Sequence, residues 1–201
     1  MRRFLVFLTL STTMVCAGGT KSIPLNKGKW AQAIFAGGCF WCIEPPFDKL
    51  DGVKATISGY IGGKEKGPSY KQVAYGLTGH TEAVMVLYDP KKVSYEKLLN
   101  VFWRQINPTQ VNGQFVDRGT QYRTGIFYLN KKQKALAEKS KAALAESGKF
   151  KNPIVTEITK ATAFWRAEEY HQDFYKKDPN HYYRYRRGSG RDQYLKSVWG
   201  K

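Results

Sequence analysis

A chain of 201 residues with 42% hydrophobic and 14% aromatic content is long enough for one domain with a sizeable core. Beyond the N-terminus no run of about 18 apolar residues is present to cross a bilayer as a helix, and no internal repeat points to a solenoid. The formal charge of +17, from 33 Lys and Arg against 16 Asp and Glu, suits a binder of nucleic acid or a membrane surface. The basic residues are dispersed, however, and no nucleic-acid motif accompanies them, so specific nucleic-acid binding is not expected.

In chain order, Met1-Arg2-Arg3, an apolar stretch from Phe4 to Leu10 and Val15-Cys16-Ala17 read as a secretory signal peptide over 1–17, which implies an exported, periplasmic protein. Residues 18–29 read as a polar linker. Trp30 to Ala36 has strand length, and Gly37-Gly38-Cys39-Phe40-Trp41-Cys42 follows as a strand-to-helix turn. Glycines allow such a turn to be tight, which presents Cys39 to the first free amides of the helix. Those amides and the helix dipole are expected to favour a Cys39 thiolate. Pro45 and Pro46 conflict with a regular helix from Phe40, and the expected resolution is a first turn loosened around Trp41 and Cys42.

Strands are expected at Val53–Ser58, Glu82–Tyr88, Arg123–Leu129 and Ile154–Thr159. Helices are expected from a Ser94 cap, at Lys131–Ser147 before Gly148, and at Glu168–Lys176 before Pro179. Between Gln105 and Gln121 the chain reads as a long irregular loop, the kind that is functional or disordered. Residues 186–201 read as a basic C-terminal tail, leaving one domain over 30–185. The order strand, helix, strand, strand, helix, strand is that of a split βαβ unit. The expected fold class is therefore α+β, a two-layer α/β sandwich with a ferredoxin-like split βαβ core.

After leader removal two cysteines remain, Cys39 and Cys42. A bridge between them closes almost no loop and constrains the unfolded chain little, so chemistry explains the pair better than scaffolding. The spacing is that of a redox pair and suits a thioredoxin-like disulfide oxidoreductase. His80, His171 and His181 are scattered without metal-ligand spacing and read as structural, and no metal is expected.

Four separated motifs carry a resemblance. Gly-Cys-Phe-Trp at 38–41, Gly79-His80-Thr81-Glu82-Ala83-Val84, Gly119-Thr120-Gln121-Tyr122-Arg123-Thr124 and Glu168-Glu169-Tyr170-His171-Gln172-Asp173 stand in the order and spacing seen in A-type peptide methionine sulfoxide reductases. The resemblance covers about Trp30 to Tyr183. It implies reduction of methionine S-sulfoxide, free or in proteins, as a repair activity. Cys39 is then the nucleophile and Glu82 the proton donor, because a sulfoxide oxygen leaves only when protonated. Tyr70 and Tyr122 match tyrosines that hydrogen-bond the sulfoxide oxygen, and Asp117 an aspartate on the polar side of the pocket. Phe40 and Trp41 match rings that enclose the substrate methyl group, and Tyr182 a further pocket tyrosine. No bound cofactor is implied; an external thioredoxin-like dithiol supplies electrons, the other partners are proteins carrying methionine sulfoxide, and the enzyme is expected to be a monomer.

Two departures from the family pattern bear on recycling. Many members have Gly where Cys42 stands, and many have a resolving cysteine where this chain has Tyr183. Cys42 is the thiol left to resolve a Cys39 sulfenic acid. The competing reading, a thioredoxin-like exchanger, leaves the acid-bearing Glu82 motif without a task.

Overall fold

The computed structural model describes residues 20–200; the expected leader over 1–17 lies outside them. The strands are β1 (Ser22–Ile23), β2 (Ala31–Gly37), β3 (Val53–Ile61), β4 (Thr81–Tyr88), β5 (Gly113–Gln114), β6 (Asp117–Arg118), β7 (Thr124–Tyr128), β8 (Glu157–Lys160) and β9 (Phe164–Arg166). The helices are α1 (Phe40–Asp48), α2 (Tyr70–Ala74), α3 (Tyr95–Trp103), α4 (Lys131–Glu146), α5 (Phe174–Lys177), α6 (Pro179–Gly188) and α7 (Arg191–Trp199).

Seven strands form one sheet in the order β1-β9-β3-β4-β2-β7-β8, and β5 and β6 form a small separate hairpin. Its centre, β3-β4-β2-β7, is antiparallel throughout, with α1 connecting β2 to β3 and α3 in the connection between β4 and β7. This is the split βαβ arrangement expected from the element order. The crossover through α4 then adds β8 parallel to β7, as parallel pairing requires.

Strand β2 is buried on both faces, which is why it reads as an unbroken apolar run rather than an alternation. On one face Phe35 stacks on Phe47 of α1 at 5.2 Å and on Phe102 of α3 at 5.0 Å. On the other, Ile34, Ala36, Ile61, Met85, Phe127 and Phe164 make a second core from strand residues alone. Ile23 and Leu25 pack against that second core. The segment expected as a linker is therefore structural: β1 pairs with β9, and its residues cover apolar surface that no helix reaches.

Three expectations fail. Helix α1 runs unbroken through Pro45 and Pro46, and its first turn is closed by the Cys42 amide on the Cys39 carbonyl at 3.0 Å rather than loosened. Glu168–Lys176 is not one helix. It breaks at Gln172, which is extended, and at Asp173, which is left-handed with φ 52°, because the Gln172 amide clamps the backbone of Ser58 and Ala167. The basic tail is also ordered: Asp178 caps α6 with Pro179 in its first turn, α7 follows, and Arg191 is only 1% exposed.

Candidate active site

Sheet register brings the motifs together. Phe35 pairs with Val84 on one side of β2 and Gly37 with Thr124 on the other. Two residues further along, Glu82 lies level with Gly37, and Tyr122 stands just before β7. The turn at Gly38-Cys39 therefore opens between the Glu82 and Tyr122 motifs. Gly38 has φ 83°, and a β-carbon there would stand 2.6 Å from Gln114 Cβ, so only glycine makes this turn.

Cys39 caps α1 and is 8% exposed; Glu82 is 1% exposed. The Phe40 amide, first in the helix, donates to Glu82 Oε2 at 3.0 Å. Burial nevertheless pushes the Glu82 carboxyl up to about 8, with Asp117 adding to the rise. The thiolate expected at the helix start is not favoured. Burial, and then the charge of Glu82, hold the Cys39 thiol well above its ordinary value, outweighing the Trp41 amide that acts the other way. At neutral pH the pair is a thiol beside a carboxylic acid.

Tyr70, Tyr122 and Asp117 surround this pair. Burial, then Glu82, push both tyrosine hydroxyls above their ordinary range, so they remain donors. The carboxyl of Asp117 is also raised by burial, opposed by a hydrogen bond from Tyr185 Oη at 2.5 Å.

The apolar side is an aromatic cup. Phe40 lies 4.9 Å from the His171 ring, Tyr70 4.3 Å from it, and Trp41 stacks on Phe174 at 3.7 Å. Trp41 Nε1 donates to His171 Nδ1 at 3.1 Å, which places the ring proton on Nε2. Burial lowers His171 to about 4, so it is neutral at physiological pH. Of the histidines expected to be structural, His80 does brace Gly63 and Glu65, but His171 belongs to the cup. His181 meets Trp41 edge-on at 5.6 Å.

Tyr182 packs on Tyr175 and Tyr183 and faces Cys42, while Tyr185 reaches Asp117 and the edge of Trp41. Tyr182 and Tyr185 are three residues apart and so nearly one helical turn apart, a relation hidden while no helix is expected over this segment. Glu168, whose motif carried the resemblance, receives the Tyr70 amide at 2.8 Å and the Tyr60 hydroxyl at 2.7 Å. It thereby fixes the start of α2. Among the described residues no cluster of His, Cys, Asp and Glu has the form of a metal site.

A cysteine and a protonated acid at the floor of an aromatic cup define a thiol-based oxidoreductase. A model of the peptide methionine sulfoxide reductase family matches residues 31–201. MsrA of Listeria monocytogenes is 55% identical over 175 residues, 87% of this chain and 99% of that protein. MsrA of Bacillus subtilis is 56% identical over 168 residues, 84% of this chain and 95% of that protein. Yeast Mxr1 in its reduced form superposes with a TM-score of 0.72 at 33% identity, over 78% of this chain and 90% of its own. Mxr1 in complex with Trx2 shares the fold at a TM-score of 0.53 and 24% identity, over 73% of this chain and 87% of its own. The chain belongs to the peptide methionine sulfoxide reductase family, with the A-type enzymes.

Proposed function

We propose that Cys39 attacks the sulfur of a methionine S-sulfoxide while Glu82 protonates its oxygen. The observation that carries this reading is the buried Glu82 carboxyl, raised to about 8 and hydrogen-bonded to the amide next to Cys39. As Glu82 gives its proton to the sulfoxide oxygen, its carboxylate takes the proton of the attacking Cys39 thiol. Oxygen passes from the substrate sulfur to Cys39, the substrate is reduced to methionine, and Cys39 becomes a sulfenic acid. Tyr70 and Tyr122 hold the oxygen as it gains charge, Asp117 with Tyr185 orders the polar side, and Phe40 and Trp41 with His171 receive the methyl group.

Cys42 then attacks Cys39. A disulfide forms, the hydroxyl leaves as water, and an external thioredoxin-like dithiol restores both thiols; the structure holds the two cysteines unbridged. The Mxr1–Trx2 complex of the yeast relative supports a partner of this class. A dithiol exchanger has no task for a buried carboxylic acid, so that reading is not favoured. The signal-like N-terminus supports export to the periplasm, the repair of oxidised proteins there, and reduction power drawn across the membrane.

Chiral analysis of leftover methionine sulfoxide, after reaction with dithiothreitol as reductant, tests the pocket: the S form is consumed and the R form persists. Equal consumption of both overturns the pocket roles. Mass spectrometry after one equivalent of substrate tests resolution. Wild type loses two hydrogens, whereas Cys42→Ser gains one oxygen at Cys39.

A further inference from the structure

Cys42 is fully buried, and burial pushes its thiol up, yet resolution of a sulfenic acid needs a thiolate. The residues beneath the turn answer this. Pro46 has no N–H to give the Cys42 carbonyl four positions back. Arg186 of α6 fills the vacancy, its Nη1 donating to that carbonyl at 3.1 Å while Nη2 reaches Gln105 Oε1 at 3.4 Å and Nε pairs with Asp192 at 2.8 Å. Arg191 of α7 holds the other side. Its Nη2 donates to the Gly37 carbonyl at 3.1 Å, its Nη1 to the Gln105 carbonyl at 2.5 Å, and its guanidinium lies 4.5 Å from the centre of the Phe115 ring.

Arg191 is 1% exposed, its Nε has no hydrogen-bond partner, and no carboxylate among the described residues forms a salt bridge with it. Its carboxylate neighbour is Asp117, whose carboxyl burial holds up and Arg191 lowers without forming a salt bridge; buried charge is expensive unless closely paired, so this guanidinium is also suited to a negative charge that arises during turnover. Cys42 is the group placed to provide it. The two arginines are the leading influences that lower its thiol; Asp117 and Asp192 act in the opposite direction. Cys39 and Tyr185 face the same space from α1 and α6, and Tyr182 and Arg186 face Cys42 from α6.

We propose that Arg186 and Arg191 are positioning residues for the recycling half-reaction, holding the Cys39–Cys42 turn by its carbonyls and supplying the positive charge that favours Cys42 as the attacking thiolate. The inference rests on the resolving role given to Cys42. The thiolate of Cys42 bonds to Cys39 sulfur as the S–O bond of the sulfenic acid breaks; the hydroxide leaving group takes the proton released by Cys42 and departs as water. The same charge also stabilises Cys42 as the leaving thiolate when a dithiol reopens the bridge.

Single-turnover quench experiments on the full chain, with methionine release and disulfide formation followed separately across pH, test the proposal. Removing an adjacent charge moves a thiol by about one unit or more. A one-unit rise cuts the thiolate fraction tenfold but makes the thiolate more nucleophilic, a net slowing of about threefold to fourfold. Arg186→Gln is therefore expected to slow disulfide formation about threefold or more near pH 7, to shift its pH profile upward, and to lose this step more than methionine release. Arg186→Lys keeps the charge and is expected to keep the profile. If wild type itself stops at the sulfenic acid, the resolving role of Cys42 falls and the arginine proposal with it. If wild type closes the bridge and Arg186→Gln does so with an unshifted profile, the resolving role stands and the arginine proposal alone is overturned. Methionine release by Arg186→Gln reports that the site has folded.

Discussion

Glu82→Gln is expected to separate stability from activity in opposite directions. Below pH 4.5 the Glu82 carboxyl is protonated in folded and unfolded chains alike; between 4.5 and about 8 the unfolded carboxyl ionises while the folded one keeps its proton. The raised folded value thus contributes stability that is present at low pH and is lost as pH rises through that window. At pH 7 the loss spans about 2.5 pH units and amounts to roughly 3 kcal/mol, an upper limit at about 1.4 kcal/mol per unit. A glutamine has no such ionisation and still accepts the Phe40 amide. Urea unfolding at several pH values reads the difference between variant and wild type, which is expected to move in the variant's favour by up to roughly 3 kcal/mol between pH 4.5 and 7. A constant offset from the amide's own N–H groups does not alter that trend. Over the same range single-turnover methionine release is expected to fall about 10²–10⁴-fold, as for loss of a general acid. Parallel stability curves for the two proteins would refute the buried-acid argument, and an unchanged release rate would remove Glu82 from proton delivery.

Cys39→Ser is expected to abolish methionine release; activity above about a tenth of wild type, where loss of a nucleophile usually takes several orders of magnitude, would exclude Cys39 as the nucleophile. Tyr185→Phe removes the main influence lowering the Asp117 carboxyl, so the acid limb of the activity profile is expected to move to higher pH. An identical profile would detach Tyr185 from the site. Because Cys39 is 8% exposed and Cys42 fully buried, a small monothiol added to the oxidised enzyme is expected to form its mixed disulfide on Cys39. Peptide mapping that places the adduct on Cys42 would contradict this.

The parts of the molecule legible in the sequence are those where local signals and tertiary demands agree. Ser94 and Asn130 cap their helices, and Gly148 follows α4 with φ 67°. The motifs around Cys39, Glu82 and Tyr122 converge because neighbouring strands carry them to one end of β2. What was hidden depends on partners far away in sequence. Nothing local in Ser22-Ile23 announces a strand; its pairing partner is β9 and its apolar contacts lie in the second core. Gln172 is a good helix former until its side chain is spent on Ser58, 114 positions distant. Arg186 and Arg191 read as part of a solvated tail because their carbonyl partners come from Gly37, Cys42 and Gln105, and nothing near Tyr185 announces its partner Asp117.

The same contrast explains the site's electrostatics. A helix start can be read from a sequence, and it argues for a thiolate at Cys39; the depth of its burial cannot, and here burial wins. The outcome suits the chemistry better than a resting thiolate would. With Cys39 a thiol, Glu82 an acid and His171 a neutral ring, the aromatic cup holds little charge and receives a neutral sulfoxide without a large desolvation penalty. In the proposed mechanism, charge appears only as the acid's proton moves to oxygen and the thiol's proton replaces it. Tyr70 and Tyr122, kept protonated by the same burial, are already in place when that happens. The fixed cations stand on the opposite side of the turn, beneath Cys42. One turn of helix thus separates a nearly neutral face, suited to the proposed oxygen transfer, from a cationic face, suited to the proposed closing and reopening of the Cys39–Cys42 disulfide.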